Sequence, residues 1–493
     1  MASVKKRKVA MKRAKPKAVA AGGAINAWQD DPASSWPVID RPVPDLSAPP
    51  LRFKIKGPVV KPGKYAQGTS QFRYWTAAEA LRRGGDFWAP LLGVTRWQPG
   101  AVLPVGLDEG VQFNAYYNRQ ELAFFHDSAG GQVYYSGESP DIVCHEMGHA
   151  CLDAHRPELF DAPFIEAGAF HESFGDTSAI LSALQLKSVR LAALSGVAQR
   201  RPSSLSRLAE QLGAAIRQTA PDAVDPDCLR NAWNSFTYVD PQTLPDLAPA
   251  SQLCAEVHSF SRVFTGAFYD ILSGMLQTGK GTPTEADLAG VATDYARLLV
   301  EATAAAPIQP DYFAQIASHM IDADTTQFAG KYRSALTTTF VSRGIIPKSA
   351  VAPLLAFKGK LPSTRGSVFG IAALARDRTA RPLTHRVQLE GQEFGLGDRR
   401  LIVRAPVEEK PLLMVSAAVL RGTENPTAKI EMATHRFVRG LFAHGRVDTE
   451  SRTRQLGVSA NRTSDQPTKT HALLESSDGL TLVRRLFDCG HGC

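Results

Sequence analysis

The chain has no uninterrupted apolar run near the roughly 20 residues that a membrane-spanning helix needs, so no span is expected. It also lacks the apolar core of about seven to fifteen residues that a secretory signal places after its basic start. Here the basic start gives way only to Ala18, Val19, Ala20, Ala21 and Gly22. The expectation is a cytoplasmic protein, or one exported by a signal-independent route. Cysteine is scarce, at six in 493 residues, and suits reduced thiols. Cys144 and Cys151 share a predicted helix, where seven residues of rise put their Cα atoms about 10 Å apart, beyond disulfide reach. Acid is absent from residues 1–18, which carry eight Lys or Arg; these account for the whole +8 net charge, because the remaining basic residues balance the 48 acids. Contact with nucleic acid or another acidic partner is therefore expected only through that tail.

What the chain does have is an ordinary globular composition, 44% hydrophobic and 21% charged, over a length that predicts two or three domains. Residues 1–70 read as a flexible tail, basic and then rich in proline at Pro32, Pro37, Pro42, Pro44, Pro49 and Pro50. Residues 71–138 alternate a helical segment, Thr76 to Leu92 with a break at Gly84–Gly85, with strands at Val111–Tyr117, Leu122–Phe125 and Val133–Tyr135. Residues 139–348 read as helical, with Ser139 and Pro140 as N-cap and first-turn residue of the first helix. Further helices are predicted over 164–185, 204–218, 255–277, 285–305 and 311–342, stopped by Gly344 and Pro347. Residues 349–493 form an accessory domain containing strands such as Leu401–Val403 and Leu412–Val415. Its terminal Cys489-Gly-His-Gly-Cys493 carries metal- and redox-capable side chains but reads as a frayed end.

The chemistry concentrates in His145-Glu-Met-Gly-His149, an H-E-x-x-H motif. Residues four apart lie on one helix face, so both imidazoles reach one cation, and Glu146 lies beside a water that a zinc ion acidifies. Two third ligands compete. His155 lies six residues after His149, as in H-E-x-x-H-x-x-G-x-x-H, but Leu152 stands where that pattern has its glycine. Glu172 lies in Glu172-Ser-Phe-Gly-Asp176, whose two acids share a face among Phe170, Phe174 and Ala179-Ile-Leu. Glu172 completes a His₂Glu set, and Asp176 orients an imidazole from behind.

These residues resemble the thermolysin family of zinc peptidases over about residues 75–345. Asn114-Ala-Tyr-Tyr-Asn118 resembles the family's substrate-edge strand. Val257-His258-Ser259 resembles the segment carrying its second active-site histidine, and Arg230 its substrate-carbonyl arginine. The resemblance implies an α+β fold of two lobes with the metal between them. It also implies a zinc endopeptidase with peptide or protein substrates, in which Glu146 is the base and His258 steadies the oxyanion. Arg230, Asn114 and the Ala115 backbone would hold substrate. Three departures stand out. No tyrosine occurs from Arg156 to His171, and Leu253 occupies the position of the acid that orients the second histidine. No acid occurs from Ala179 to Arg200, so zinc is expected without calcium, although Asp141 matches one calcium-ligand position. The alternative implied is a catalytically degenerate member of the fold that binds zinc as a structural or interaction module, although a base at Glu146 has little purpose there. A closed structural site also calls for a fourth protein ligand, and Cys144 points about 100° away from His145.

Overall fold

The computed structural model describes residues 23–356, 384–406, 425–450 and 467–489. The basic run before residue 18, the apolar run Leu412–Val415 and the last four residues lie outside them.

Residues 24–55 correct the expectation of a tail reaching residue 70. Strand β1 (Ala24–Ala27) pairs antiparallel with β2 (Ile39–Pro42), and β3 (Arg52–Ile55) enters a sheet with Phe53 and Ile55 facing inward. Ile25, Ala27, Leu51 and Phe53 all belong to the core. A four-residue strand alternating between solvent and core gives too little periodicity to stand out among prolines.

Helix α1 (Ser70–Leu92) begins on a Thr69 cap and runs without a break through Gly84 and Gly85. The two glycines serve packing rather than a break. A Cβ on Gly84 would lie 2.3 Å from Met147 Cε, and one on Gly85 2.9 Å from Phe53 Cε2. Then follow β4 (Val102–Gly106), β5 (Ala115–Tyr117), β6 (Leu122–Phe124) and the hairpin β7 (His126–Ala129) and β8 (Gln132–Tyr135). Strands β3, β4 and β6 are parallel, and β5 returns antiparallel to β6.

The helical region opens with α2 (Pro140–His155) and α3 (Ile165–Ala183), which pack along each other. Helix α4 (Lys187–Ala198), not anticipated, follows a short link. The predicted 204–218 helix reduces to α5 (Glu210–Arg217), preceded by β9 (Arg207–Leu208), which pairs with β10 (Arg230–Asn231). Helices α6 (Val257–Leu276) and α7 (Glu285–Ala305) lie at the expected positions. The expected 311–342 helix is two helices, α8 (Tyr312–Phe328) and α9 (Arg333–Ser342). Ala329 and Gly330 adopt φ of 52° and 78°, a left-handed pair that ends the first helix. Gly344 and Pro347 end α9 but not the run, since α10 (Lys348–Ala356) follows.

The C-terminal region builds a five-stranded sheet from β11 (Thr384–Glu390), β12 (Arg400–Pro406), β13 (Val447–Asp448), β14 (His471–Ser476) and β15 (Gly479–Arg484), in the order β11-β12-β15-β14-β13. Helix α11 (Pro426–Ala443) contacts β11 and β12. Its Arg436 turns back to the helical region, donating to Leu244 O at 2.8 Å and pairing with Asp246. The chain then leaves this sheet. Strand β16 (Phe487–Asp488) joins the first sheet, antiparallel to β5, giving the order β16-β5-β6-β4-β3. The architecture is α+β. No single helix among the described residues is long and apolar enough to cross a membrane.

Candidate metal centre

Helix α2 starts where the sequence says it should, with Ser139 as cap and Pro140 in the first turn. It carries His145, Glu146 and His149 into the protein, all three buried. Helix α3 presents Glu172 and Asp176 to the same point. The two helices meet closely because Gly148 and Gly175 face each other. A Cβ on Gly175 would sit 2.6 to 2.8 Å from the ring of His145, and one on Gly148 2.6 Å from Ser178 Oγ. The imidazole of His145 thus lies against the bare backbone of α3, between the two acids.

The donor atoms converge. One ring nitrogen each of His145 and His149 and a Glu172 carboxylate oxygen all lie within 4.8 Å of one another. Glu172 Oε2 is 3.4 Å from His145 Nε2 and 3.7 Å from His149 Nε2. Both Nε2 atoms and both Glu172 oxygens are buried without a hydrogen-bond partner. Buried polar atoms are nearly always satisfied, so four orphans aimed at one point suit a cation. His155, the rival third ligand, stands apart; its Nε2 donates to Val300 O at 3.1 Å.

The opposite ring nitrogens are held from behind. His145 Nδ1 lies 3.1 Å from Asp176 Oδ1 and donates to it, leaving an Nε2 lone pair toward the cluster. Although burial opposes it, Arg230 and His145 together hold the Asp176 carboxyl well below the usual carboxylate range. Arg230 uses Nε and Nη2 for this, the latter at 2.8 Å from Asp176 Oδ1. The contact this structure gives its guanidinium is thus the ion pair with Asp176. His149 Nδ1 pairs with His171 Nδ1 at 2.8 Å. Burial, then the neighbouring His145 and His171, pushes His149 well below the ordinary histidine value, toward the neutral form a metal ligand needs.

Glu146 has both carboxylate oxygens buried and without a hydrogen bond. Burial pushes it up to about 8, against the pull of His145; a dication alongside would draw it back down. His258 stands across the cluster, Nε2 3.4 Å from Glu172 Oε2. Its Nδ1 donates to Glu256 Oε1 at 2.7 Å and its Nε2 to the Asp488 carbonyl at 2.6 Å, so both nitrogens carry protons. Against its burial, Glu172 and Glu256 push His258 up to about 9.

Two residues beside the site, Glu256 and His171, carry no role in the sequence reading, and a third, Cys489, is read there as part of a frayed end. Glu256 is the acid behind His258; it lies two residues upstream at the N-cap of α6, not at Leu253. His171 adjoins Glu172 and steadies His149. Cys489 corrects the frayed-end expectation, being buried beside His145 and Glu146 with donor atoms of all three within 4.8 Å. The Cys489-x-x-x-Cys493 spacing was the available signal. On the expected substrate edge, Ala115 O accepts from Cys489 N at 2.9 Å. Asn114 caps its own strand, accepting from Ala115 N and donating to Thr468 Oγ1 at 2.9 Å.

A second acid group lies apart. Asp31, Asp141 and Glu210 bring carboxylate oxygens within 4.8 Å, with Asp30 alongside. Burial and mutual repulsion push Asp30 up to about 7 and Glu210 up to about 9.

No protein-family model matches the chain, and no curated protein matches it.

Proposed function

We propose that this protein is a zinc-dependent metalloendopeptidase of the thermolysin type. The observation that carries the reading is the set of buried, unpartnered donors on His145, His149 and Glu172, with an unpartnered Glu146 beside them. Three protein ligands of this kind are the donor set of catalytic rather than structural zinc. Zinc there supplies Lewis acidity, polarising a carbonyl and acidifying water.

The remaining steps fall to side chains. Glu146 takes the proton of the attacking water and returns it to the leaving amine. His258, doubly protonated and fixed by Glu256, directs Nε2–H at the oxygen on which negative charge develops, supplying the stabilisation expected of a family tyrosine that this chain lacks. Asp176 and His171 keep the two ligand imidazoles in the correct tautomer. An extended peptide would add as a strand along β5 and Ala115 O, the edge on which β16 and Cys489 N pair in this structure. Arg230, which would meet a substrate carbonyl, is held in place by Asp176.

A second reading, a zinc-containing binding or structural module, is favoured by one observation: the chain's own Asp488 and Cys489 already engage His258 and Ala115. Peptide hydrolysis by the wild type and Glu146→Gln separates the two. The enzyme reading predicts cleavage of a mixed peptide library, reduced about 10²- to 10⁴-fold in the variant with zinc content unchanged. Zinc-loaded protein without cleavage, even when the C-terminal segment is weakened as below, supports the module instead.

A further inference from the structure

Strand β16 is only two residues long, yet it is anchored on several sides. Phe487 lies over His171 with centroids 3.9 Å apart and planes at 15°, and over His149 at 5.1 Å. The Arg484 guanidinium covers Phe487 4.1 Å from its centroid. Asp488 Oδ2 accepts from Arg446 Nη1 at 3.0 Å, and its carbonyl accepts from His258 Nε2. Cys489 N donates to Ala115 O, continuing the ladder past the strand's last residue. Leu486 to Cys489 are all buried.

This is how an extended peptide would add along β5, on the edge that β16 itself occupies. The Asp488 carbonyl meets the one histidine positioned to steady an oxyanion. The residue after it carries a thiol, which stands with His145 and Glu146, sharing His145 with the His145–His149–Glu172 group. The unpartnered Nε2 of His145 and oxygens of Glu146 are aimed into the same space.

We propose that Leu486–Cys489 is a built-in inhibitor of this site, its backbone filling the substrate edge and the Cys489 thiolate serving as the fourth ligand of the metal. This rests on the zinc reading above. Thiolate is a strong zinc ligand, and a fourth protein ligand closes a site that three leave open. On coordination the thiol releases its proton, taken up in the end by buffer, as thiolate ligation requires. Activity then requires the segment to leave. Hydrolysis scales with the undocked fraction, so a segment docked about nine-tenths of the time lowers the rate about tenfold.

The test uses full-length protein with cobalt(II) in place of zinc, comparing wild type with Cys489→Ala and Cys489→Ser. Thiolate ligation predicts a near-ultraviolet sulfur-to-cobalt charge-transfer band in the wild type, lost in both variants, with the visible bands of bound cobalt kept in all three. With zinc, peptide hydrolysis should rise about tenfold in Cys489→Ala and also in Phe487→Ala, which loosens the strand without touching the thiol. Bound cobalt without the charge-transfer band in the wild type overturns thiolate ligation and leaves the His145–His149–Glu172 site standing. A band lost in the variants with no gain in hydrolysis overturns inhibition. Absence of cobalt uptake in all three proteins removes both the inference and the metal site beneath it.

Discussion

Glu256 fixes His258 through two bonds of different kinds. Its Oε2 accepts from the backbone N–H of His258 at 2.8 Å and of Ser259 at 3.1 Å, capping α6, while Oε1 takes the imidazole Nδ1–H. Glu256→Ala should therefore lower stability by about 1–2 kcal/mol, read from chemical denaturation. Peptide hydrolysis should fall further than stability accounts for, with zinc content unchanged; unchanged hydrolysis would refute the role given to His258. This pairing also marks where residue-level reading stopped. The H-E-x-x-H and Glu-x-x-x-Asp spacings are legible because a helix repeats every 3.6 residues, and the structure brings those five side chains together. An acid two residues upstream reaches its histidine only through the N-cap turn, a geometry that spacing along a helix does not express. His171 was passed over for a similar reason: its partner is on another helix, 22 positions away.

At the scale of elements, the site depends on how closely α2 and α3 approach. Gly175→Ala puts a methyl within 2.8 Å of three ring atoms of His145, a buried aromatic ring with no free direction to move. The expected cost is about 1–3 kcal/mol of stability, with weakened zinc retention measured by competition with a chelator. Full zinc affinity in this variant would contradict the close-contact account of the centre. The glycines of α1 teach the same lesson: Gly84–Gly85 read as a break because propensity sees the backbone and not Met147 or Phe53 packed upon it.

The acid group joining the loop after β1 to α2 and α5 gives a further element-scale prediction. Burial and repulsion raise Asp30, Asp141 and Glu210 above their ordinary values. The folded state therefore holds protons that the unfolded chain releases above about pH 4. Stability from this group is greatest at the acid end and is lost as pH rises toward about 9, where Glu210 titrates. Asp141→Asn removes one of the repelling charges and keeps an oxygen for the Ala209 N–H. In buffer containing zinc as the sole divalent ion, its Tm should exceed that of the wild type at pH 8 by more than at pH 5. An equal difference at both pH values would mean that the cluster does not share protons in this way.

For the whole molecule, the order of the chain is not the order of the site. The C-terminal region forms its own sheet, is pinned to the helical region through Arg436, and then sends β16 across to the β5 edge. Little of this was legible. The short apolar run Leu401–Val403 indicates a strand and belongs to β12, but β16 is two residues long and has no period, and its pairing with residues 370 positions earlier is set by tertiary packing. The proline-rich start misled for the converse reason: turn residues between short strands have the composition of a linker. The helical middle is the most legible part because long helical runs with cap residues declare themselves; α4 was nonetheless missed, and the break at Ala329 falls on a left-handed residue that composition does not mark.

The central claim is that His145, His149 and Glu172 hold one zinc ion, and elemental analysis of purified protein tests it most directly. The account predicts about one zinc per chain in the wild type, lost in His149→Ala and strongly reduced in Glu172→Gln, while Glu146→Gln keeps it. A wild type that takes up no zinc, or a His149→Ala variant that retains it in full, would contradict the account.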